Sequence, residues 1–345
     1  MTAVNPTPAV SQSRANPDAS IRAEGLVKTY PNGVQALNGL SFSVASGSVY
    51  ALLGPNGAGK STTVKILTTL SRANSGSATV AGIDVMRNPS AVRNVIGCVA
   101  QKSGVDANAT GRENLRLQGR FYGLGGAALE DRITELLARF RLSEAADKIV
   151  RTFSGGMQRK LDIALGLIHQ PAVLFLDEPT TGLDPEARAE LWEEISRLSG
   201  QIGITILLTT HYLEEADRLA QLVGIVDRGR LVAEGTPEGL KSELRGDAVH
   251  VEFAQIEDES RVHAALAGVD GIAEIALEGA GVRARAQHGA SAAPGVLAAL
   301  DRAGIKAMSV RIARPSLDDV YLKHTGRSLR DAESETAAQT KGGKR

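Results

Sequence analysis

Between Gly54 and Thr62 the chain reads "GPNGAGKST", the spacing G-x-x-x-x-G-K-S set between an apolar stretch, "SVYALLG", and a helix-forming one, "KSTTVKILTTL". Strand, glycine-rich loop and helix in that order form a phosphate cradle. The loop Gly54, Pro55, Asn56, Gly57, Ala58 and Gly59, with Thr62, would surround the phosphates with the N–H groups of its residues other than proline. Lys60 would neutralise them, and the Ser61 hydroxyl would reach a Mg²⁺ ion. A glycine-rich turn that merely caps a helix is the plain alternative, which the strand–loop–helix context disfavours. A second chemical stretch, "AVLFLDEP", is an apolar strand ending in Asp177 and Glu178. Buried strands do not keep charges without something to neutralise them. Asp177 would hold Mg²⁺ through its water shell, and Glu178 would act as the general base on the attacking water. Alone, such a strand is more often one that simply meets solvent; beside a phosphate loop, the catalytic reading prevails.

Three single residues are candidates for the same site. Gln101 in "VIGCVAQKSG" and His211 in "LLTTHYLEEAD" each end a strand. The first is placed to reach Mg²⁺ and the lytic water, the second to hydrogen-bond a γ-phosphate, although lone residues of this kind are usually structural. Tyr30, in "VKTYPNG", either stacks on adenine or packs before a turn. A second anion grip occurs at "RTFSGGMQRKLDIALG", where Thr152 or Ser154 caps a helix and Gly155-Gly156 bare the amides at its positive end.

These residues need a framework of 345 residues with 43% hydrophobic and 23% charged content, enough for a proper core. Net charge is zero, so no basic field points to a nucleic acid. The single cysteine, Cys98, excludes an internal disulfide framework. No apolar run approaches the roughly 18–20 residues of a membrane helix. The N-terminus lacks the basic-then-apolar order of a secretory signal, and a soluble cytoplasmic protein is expected. Residues 1–20 read as a disordered leader, and short apolar strands alternating with helices from 21 to 240 predict an α/β domain with a parallel sheet. Beyond this the texture changes. The order βαββαβ over 245–327, followed by the helix "PSLDDVYLKHTG", predicts a small ferredoxin-like α+β domain, and residues 328–345 a polar tail.

The ordered series Tyr30, "GPNGAGKST", Gln101, "FSGGMQ", "LFLDEPTTGLD" and His211 resembles the ATP-binding subunit of ABC transporters, over roughly residues 21–240. The resemblance implies a P-loop NTPase cassette: a parallel-rich sheet with antiparallel strands and a helical subdomain at about 103–165. It implies ATP and Mg²⁺ as cofactors, and the roles of A-loop, Walker A, Q-loop, signature, Walker B, D-loop (Gly182-Leu183-Asp184) and switch histidine. Phe153 and Met157 stand where many members have Leu and Gln, but the Ser154-Gly155-Gly156 core is kept. In the family the signature closes over the nucleotide of a second copy. A homodimer sandwiching two ATP molecules follows, with Asp184 at the seam.

More narrowly, "SGGMQRKLDIA", "TTHYLEEAD" and "PSLDDVYLKHTG" resemble the daunorubicin-resistance branch. That implies an ATPase on the inner face of the membrane, energising export of a hydrophobic drug, antibiotic or lipid through separate ABC-2 permease subunits. Polysaccharide or ion cargo is the alternative, because the cassette is blind to cargo. A soluble ABC ATPase acting on nucleic acid or ribosomes is a further one. It fits poorly with a single phosphate loop, no coiled-coil insertion and no net positive charge.

Overall fold

The computed structural model describes residues 19–244 and 246–334, in two compact units divided between Thr236 and Pro237. The first comprises β1 (Ala19–Thr29), β2 (Gln35–Ala45), β3 (Val49–Leu53), α1 (Lys60–Leu67), β4 (Ser75–Val80), β5 (Ile83–Asp84), α2 (Pro89–Val95) and β6 (Ile96–Val99). It continues through α3 (Gly111–Phe121), α4 (Gly126–Arg139), α5 (Gly155–Leu167), β7 (Val173–Asp177), α6 (Pro185–Ile202), β8 (Thr205–Thr210), α7 (Leu213–Leu219), β9 (Leu222–Asp227) and β10 (Arg230–Gly235).

The site rests on a six-stranded sheet of order β10-β9-β3-β8-β7-β6. Every pairing from β9 to β6 is parallel, and β10 adds an antiparallel edge. Strands covered on both faces must be apolar throughout, and every residue of β3, β7 and β8 is buried. Register aligns their carboxyl ends: Leu53 lies opposite Thr210, and Asp177 opposite Thr209. Parallel sheets bind ligands at those ends, so the chain delivers its chemical residues to one edge. A second, antiparallel sheet, β2-β1-β4-β5, shares the core. Phe42 stacks on Tyr50 at 5.2 Å there, and the Tyr50 hydroxyl donates to Glu234 at 2.6 Å. The helices α3 to α5 fall in the stretch expected to be helical. Thr110 and Glu113 close a capping box at the start of α3.

The second unit comprises α8 (Pro237–Ser242), β11 (Asp247–Phe253), α9 (Glu259–Leu266), β12 (Ile272–Glu278), β13 (Gly281–Ala286), α10 (Gly289–Arg302), β14 (Ala307–Ala313) and α11 (Leu317–Thr325). Its sheet is antiparallel with order β12-β13-β11-β14, the ferredoxin-like arrangement. On α11, Leu317, Val320 and Tyr321 are buried. Asp319 caps the helix through Ser316 and receives the guanidiniums of Arg283 and Arg285 from β13.

Three boundaries differ from the sequence reading. Of the expected leader, residues 1–18 lie outside the described residues, while Ala19 and Ser20 are in β1, where main-chain pairing with β2 overrides their weak side-chain pattern. The first domain ends at Thr236 rather than 240, because α8 packs with α11. Residues 329–334, expected to be a polar tail, are helical and pack with the first unit. Their two apolar residues, Leu329 and Ala332, are three apart on one helix face and both buried. Among the described residues no helix is long and apolar enough to cross a membrane.

Candidate active site

The loop after β3 is built around positive-φ glycines, Gly57 at 81° and Gly59 at 109°, the latter at the N-cap of α1. Gly54 admits no side chain, since a Cβ would lie 2.2 Å from the Val226 carbonyl oxygen. Pro55 accepts the Ala58 N–H, Ala58 accepts from Gly229, and Asn56 and Gly57 face solvent. Lys60 is 4% exposed. Its Nζ donates to the carbonyls of Gly54 at 2.7 Å and Pro55 at 3.1 Å, and stands 3.7 Å from Glu178 Oε1. Burial lowers its pKa against the opposing pull of Glu178, Asp177 and Glu333. Thr62 meets the Tyr30 hydroxyl at 3.2 Å, which fixes the tyrosine beside the loop.

The tip of β7 supplies the carboxylates. Asp177 Oδ1 accepts from Ser61 Oγ at 3.0 Å and from Thr209 Oγ1 at 2.6 Å. Glu178 has a left-handed backbone, φ 48°, which costs a non-glycine residue strain and is found at functional sites. Its N–H donates to the Thr209 carbonyl and hydroxyl, each at 3.1 Å. Its carboxylate is met by Gln101 Nε2 at 3.1 Å, Thr181 Oγ1 at 3.3 Å and His211 Nδ1 at 3.4 Å. The histidine contact first, and then the charge of Lys60, hold Glu178 below the usual glutamate range despite its burial. An ionised carboxylate fixed on four sides is suited to taking a proton from water.

Thus Lys60, Ser61, Gln101, Asp177, Glu178 and His211, widely spaced in sequence, converge. The second anion grip does not join them. Ser154 caps α5 by accepting the Met157 N–H at 3.2 Å, whereas the Thr152 hydroxyl donates to the Ile149 carbonyl. Gly155 is exposed, and a Cβ at Gly156 would lie 2.9 Å from Ala187 Cβ. Asp184 caps α6 through the Ala187 N–H at 2.9 Å. Among the described residues, neither Ser154, Gly155 nor Gly156 bonds a residue of the phosphate loop.

Ser61, Asp177 and Gln101 offer only hard oxygen donors once the glutamine amide turns, a set that suits Mg²⁺ completed by phosphate oxygens and water. The sequence reading missed Thr209, Thr181 and Arg159. Threonine in a strand is unremarked, but Arg159 leaves a trace. With Asp162 it places charge three apart on the otherwise apolar face of α5, and both are 7% exposed.

Fold and site define a P-loop ATPase cassette: a phosphate loop with two carboxylates beside it at the carboxyl edge of a parallel sheet. Residues 37–181 match the family described as ABC transporter, and residues 235–325 the ATP-binding protein DrrA1-3-like, C-terminal domain. The chain belongs to the ABC transporter ATP-binding family, in its daunorubicin-resistance branch, and is an ATP-binding, ATP-hydrolysing cassette. It is 46% identical to the daunorubicin resistance ATP-binding protein DrrA2 of Streptomyces coeruleorubidus, over 92% of this chain and 99% of that one. It is 40% identical to the daunorubicin/doxorubicin resistance protein DrrA of Streptomyces peucetius (94% and 97%), and 35% to the linearmycin resistance protein LnrL of Bacillus subtilis (90% and 100%). Among solved structures, cbiO1 from Clostridium perfringens superposes with TM-score 0.61 at 27% identity, over 66% of this chain and 92% of that one.

Proposed function

We propose that two copies of this chain, lying on the inner face of the membrane, sandwich two Mg-ATP molecules and that their hydrolysis drives export of a hydrophobic drug, antibiotic or lipid through separate integral membrane subunits. The observation that carries the reading is the division of labour just described. One edge of the sheet gathers the loop, carboxylates, glutamine and histidine, while Ser154, Gly155 and Gly156 offer a second set of donors elsewhere. A phosphate loop surrounds the β- and γ-phosphates from one side only, and charge spreads over the γ-phosphate's outer oxygens during transfer. Neutral, fixed N–H groups from the other copy's α5 suit that outer face. A two-fold, isologous pairing satisfies both sites at once.

In this reading Glu178 takes the proton from water as its oxygen bonds to the γ-phosphorus and the bond to ADP breaks. Gln101 orients that water, His211 holds Glu178 and meets the γ-phosphate, and Lys60 leaves Glu178 for the phosphates. Tyr30 stacks on adenine and Asp184 lies at the seam. The Mg²⁺ held at Ser61 and Asp177, with Gln101 nearby, would neutralise phosphate charge.

The cargo follows the relatives, whose names specify resistance to daunorubicin, doxorubicin and linearmycin. A nucleic-acid role has no such support. An apolar surface is available for a membrane partner: Leu117 and Phe121 on α3 and Leu124 beyond it are 53%, 76% and 36% exposed. Helix α3 is tied to the segment after Gln101 by Asn114, whose amide group exchanges hydrogen bonds with Asp106.

Glu178→Gln removes the base and keeps the shape. With Mg-ATP, gel filtration should show this variant as a dimer that reverts to monomer when nucleotide is removed. A monomer at every ATP concentration counts against the sandwich.

A further inference from the structure

Helix α5 does two things along one short length. Its first turn carries Ser154, Gly155 and Gly156. Five residues on, about 7.5 Å along the axis, Arg159 turns inward. There its guanidinium donates to four main-chain carbonyls: Nη1 to Ala100 at 2.6 Å, Nε to Pro179 at 2.7 Å, and Nη2 to Asp177 at 3.1 Å and Glu178 at 3.4 Å. Asp162, one turn further, accepts the Gly104 N–H at 3.0 Å and stands 3.9 Å from Arg159. Ala100 precedes Gln101, and Asp177 to Pro179 bracket Glu178. One buried side chain therefore fixes both segments that carry the groups around the attacking water.

We propose that Arg159 is a positioning residue for ATP hydrolysis, setting Gln101 and Glu178 from the same helix whose first turn meets the other copy's nucleotide. This rests on the sandwich reading. Three features argue against mere packing. Its acceptors belong to two separate strand ends, and all of them border residues of the reaction. The left-handed backbone of Glu178 needs external support, and Arg159 bonds the carbonyls on both sides of that residue. The planar fork carries five donors on three separate nitrogens and reaches four acceptors, whereas lysine has three donors on one nitrogen. Since α5 is one helical segment, Arg159 moves with the Ser-Gly-Gly turn, so a shift of that turn is carried to Glu178.

The test uses the full chain. Arg159→Lys keeps the charge and loses the fork. Expected is a fall in kcat of at least tenfold, with the Kd for Mg-ATP within twofold of wild type, because the phosphate loop is untouched. The double variant with Glu178→Gln should still dimerise on Mg-ATP. Unchanged kcat, or kcat and ATP affinity lost in parallel, overturns the proposal. Should Arg159→Lys not fold, Asp162→Asn decides. It retains the acceptor for Gly104 and removes the neighbouring charge, so kcat should fall at least threefold with Kd unchanged; an unaltered kcat is then the contrary result. Failure of the sandwich itself reads out separately, as Glu178→Gln remaining monomeric on Mg-ATP while the arginine variant keeps its split between kcat and Kd.

Discussion

Glu178, the base in the proposed reaction, owes its ionised carboxylate to neighbours that sequence spacing cannot bring together. The contact with His211 leads, Lys60 adds its charge, and together they outweigh burial and depress the carboxyl pKa. The sign is definite. A depressed pKa keeps Glu178 ionised as pH falls through the ordinary glutamate range, so the acid limb of kcat/KM, which reports the nucleotide-free chain, should lie below that range. The linked stability is present above the unfolded-state value and is lost as pH falls through the folded one. His211→Ala removes the leading cause, and the limb should move upward in a pH–rate profile. An unmoved limb would show that Lys60 and the Thr181 hydroxyl set it without the histidine. At this scale the sequence was most informative where chemistry restricts residue type. Lys60, Ser61 and the Asp177-Glu178 pair are legible because few residues can hold phosphate, metal or a proton. Thr209 was not legible, because a strand threonine is also simply a good strand former. Its role as the clamp on Asp177 exists only through the register of β7 on β8.

At the scale of elements, strand-then-loop-then-helix alternation was readable from apolar runs bounded by glycine, and so was the order of the second unit. Boundaries were less so, because they depend on partners. Helix α8 carries no local mark assigning it to the second unit, and Leu329 and Ala332 are too few to stand out in a polar stretch. The "LDDVYL" segment shows what a motif hides. Leu317, Val320 and Tyr321 are its core face, while Asp319 closes the cap and meets Arg283 and Arg285. Burial raises the Asp319 pKa, but the Ser316 hydrogen bonds and then the two arginines bring it below the ordinary value. Removing one partner of a buried ion pair costs about 3–5 kcal/mol. Asp319→Ala should destabilise the second unit by that order in denaturant titration, and more so at neutral pH than in acid, where the native carboxylate is itself protonated. A loss under about 1 kcal/mol would mean that the arginines are satisfied without it.

At the scale of the whole molecule, sequence alone could list two phosphate grips but not show that they stand apart within one chain. Parallel strands carry Lys60, Gln101, Glu178 and His211 to one edge, while Gly155 lies against Leu183 and Gly156 against Ala187. In the proposed sandwich, catalysis is therefore bimolecular in protein. Steady-state ATPase rate measured against chain concentration, at saturating Mg-ATP, tests this most directly. Turnover per chain should be low when the protein is dilute and rise with concentration to a plateau. Turnover per chain that stays at its full value down to the lowest concentration, in a sample shown by light scattering to be monomeric, would contradict it.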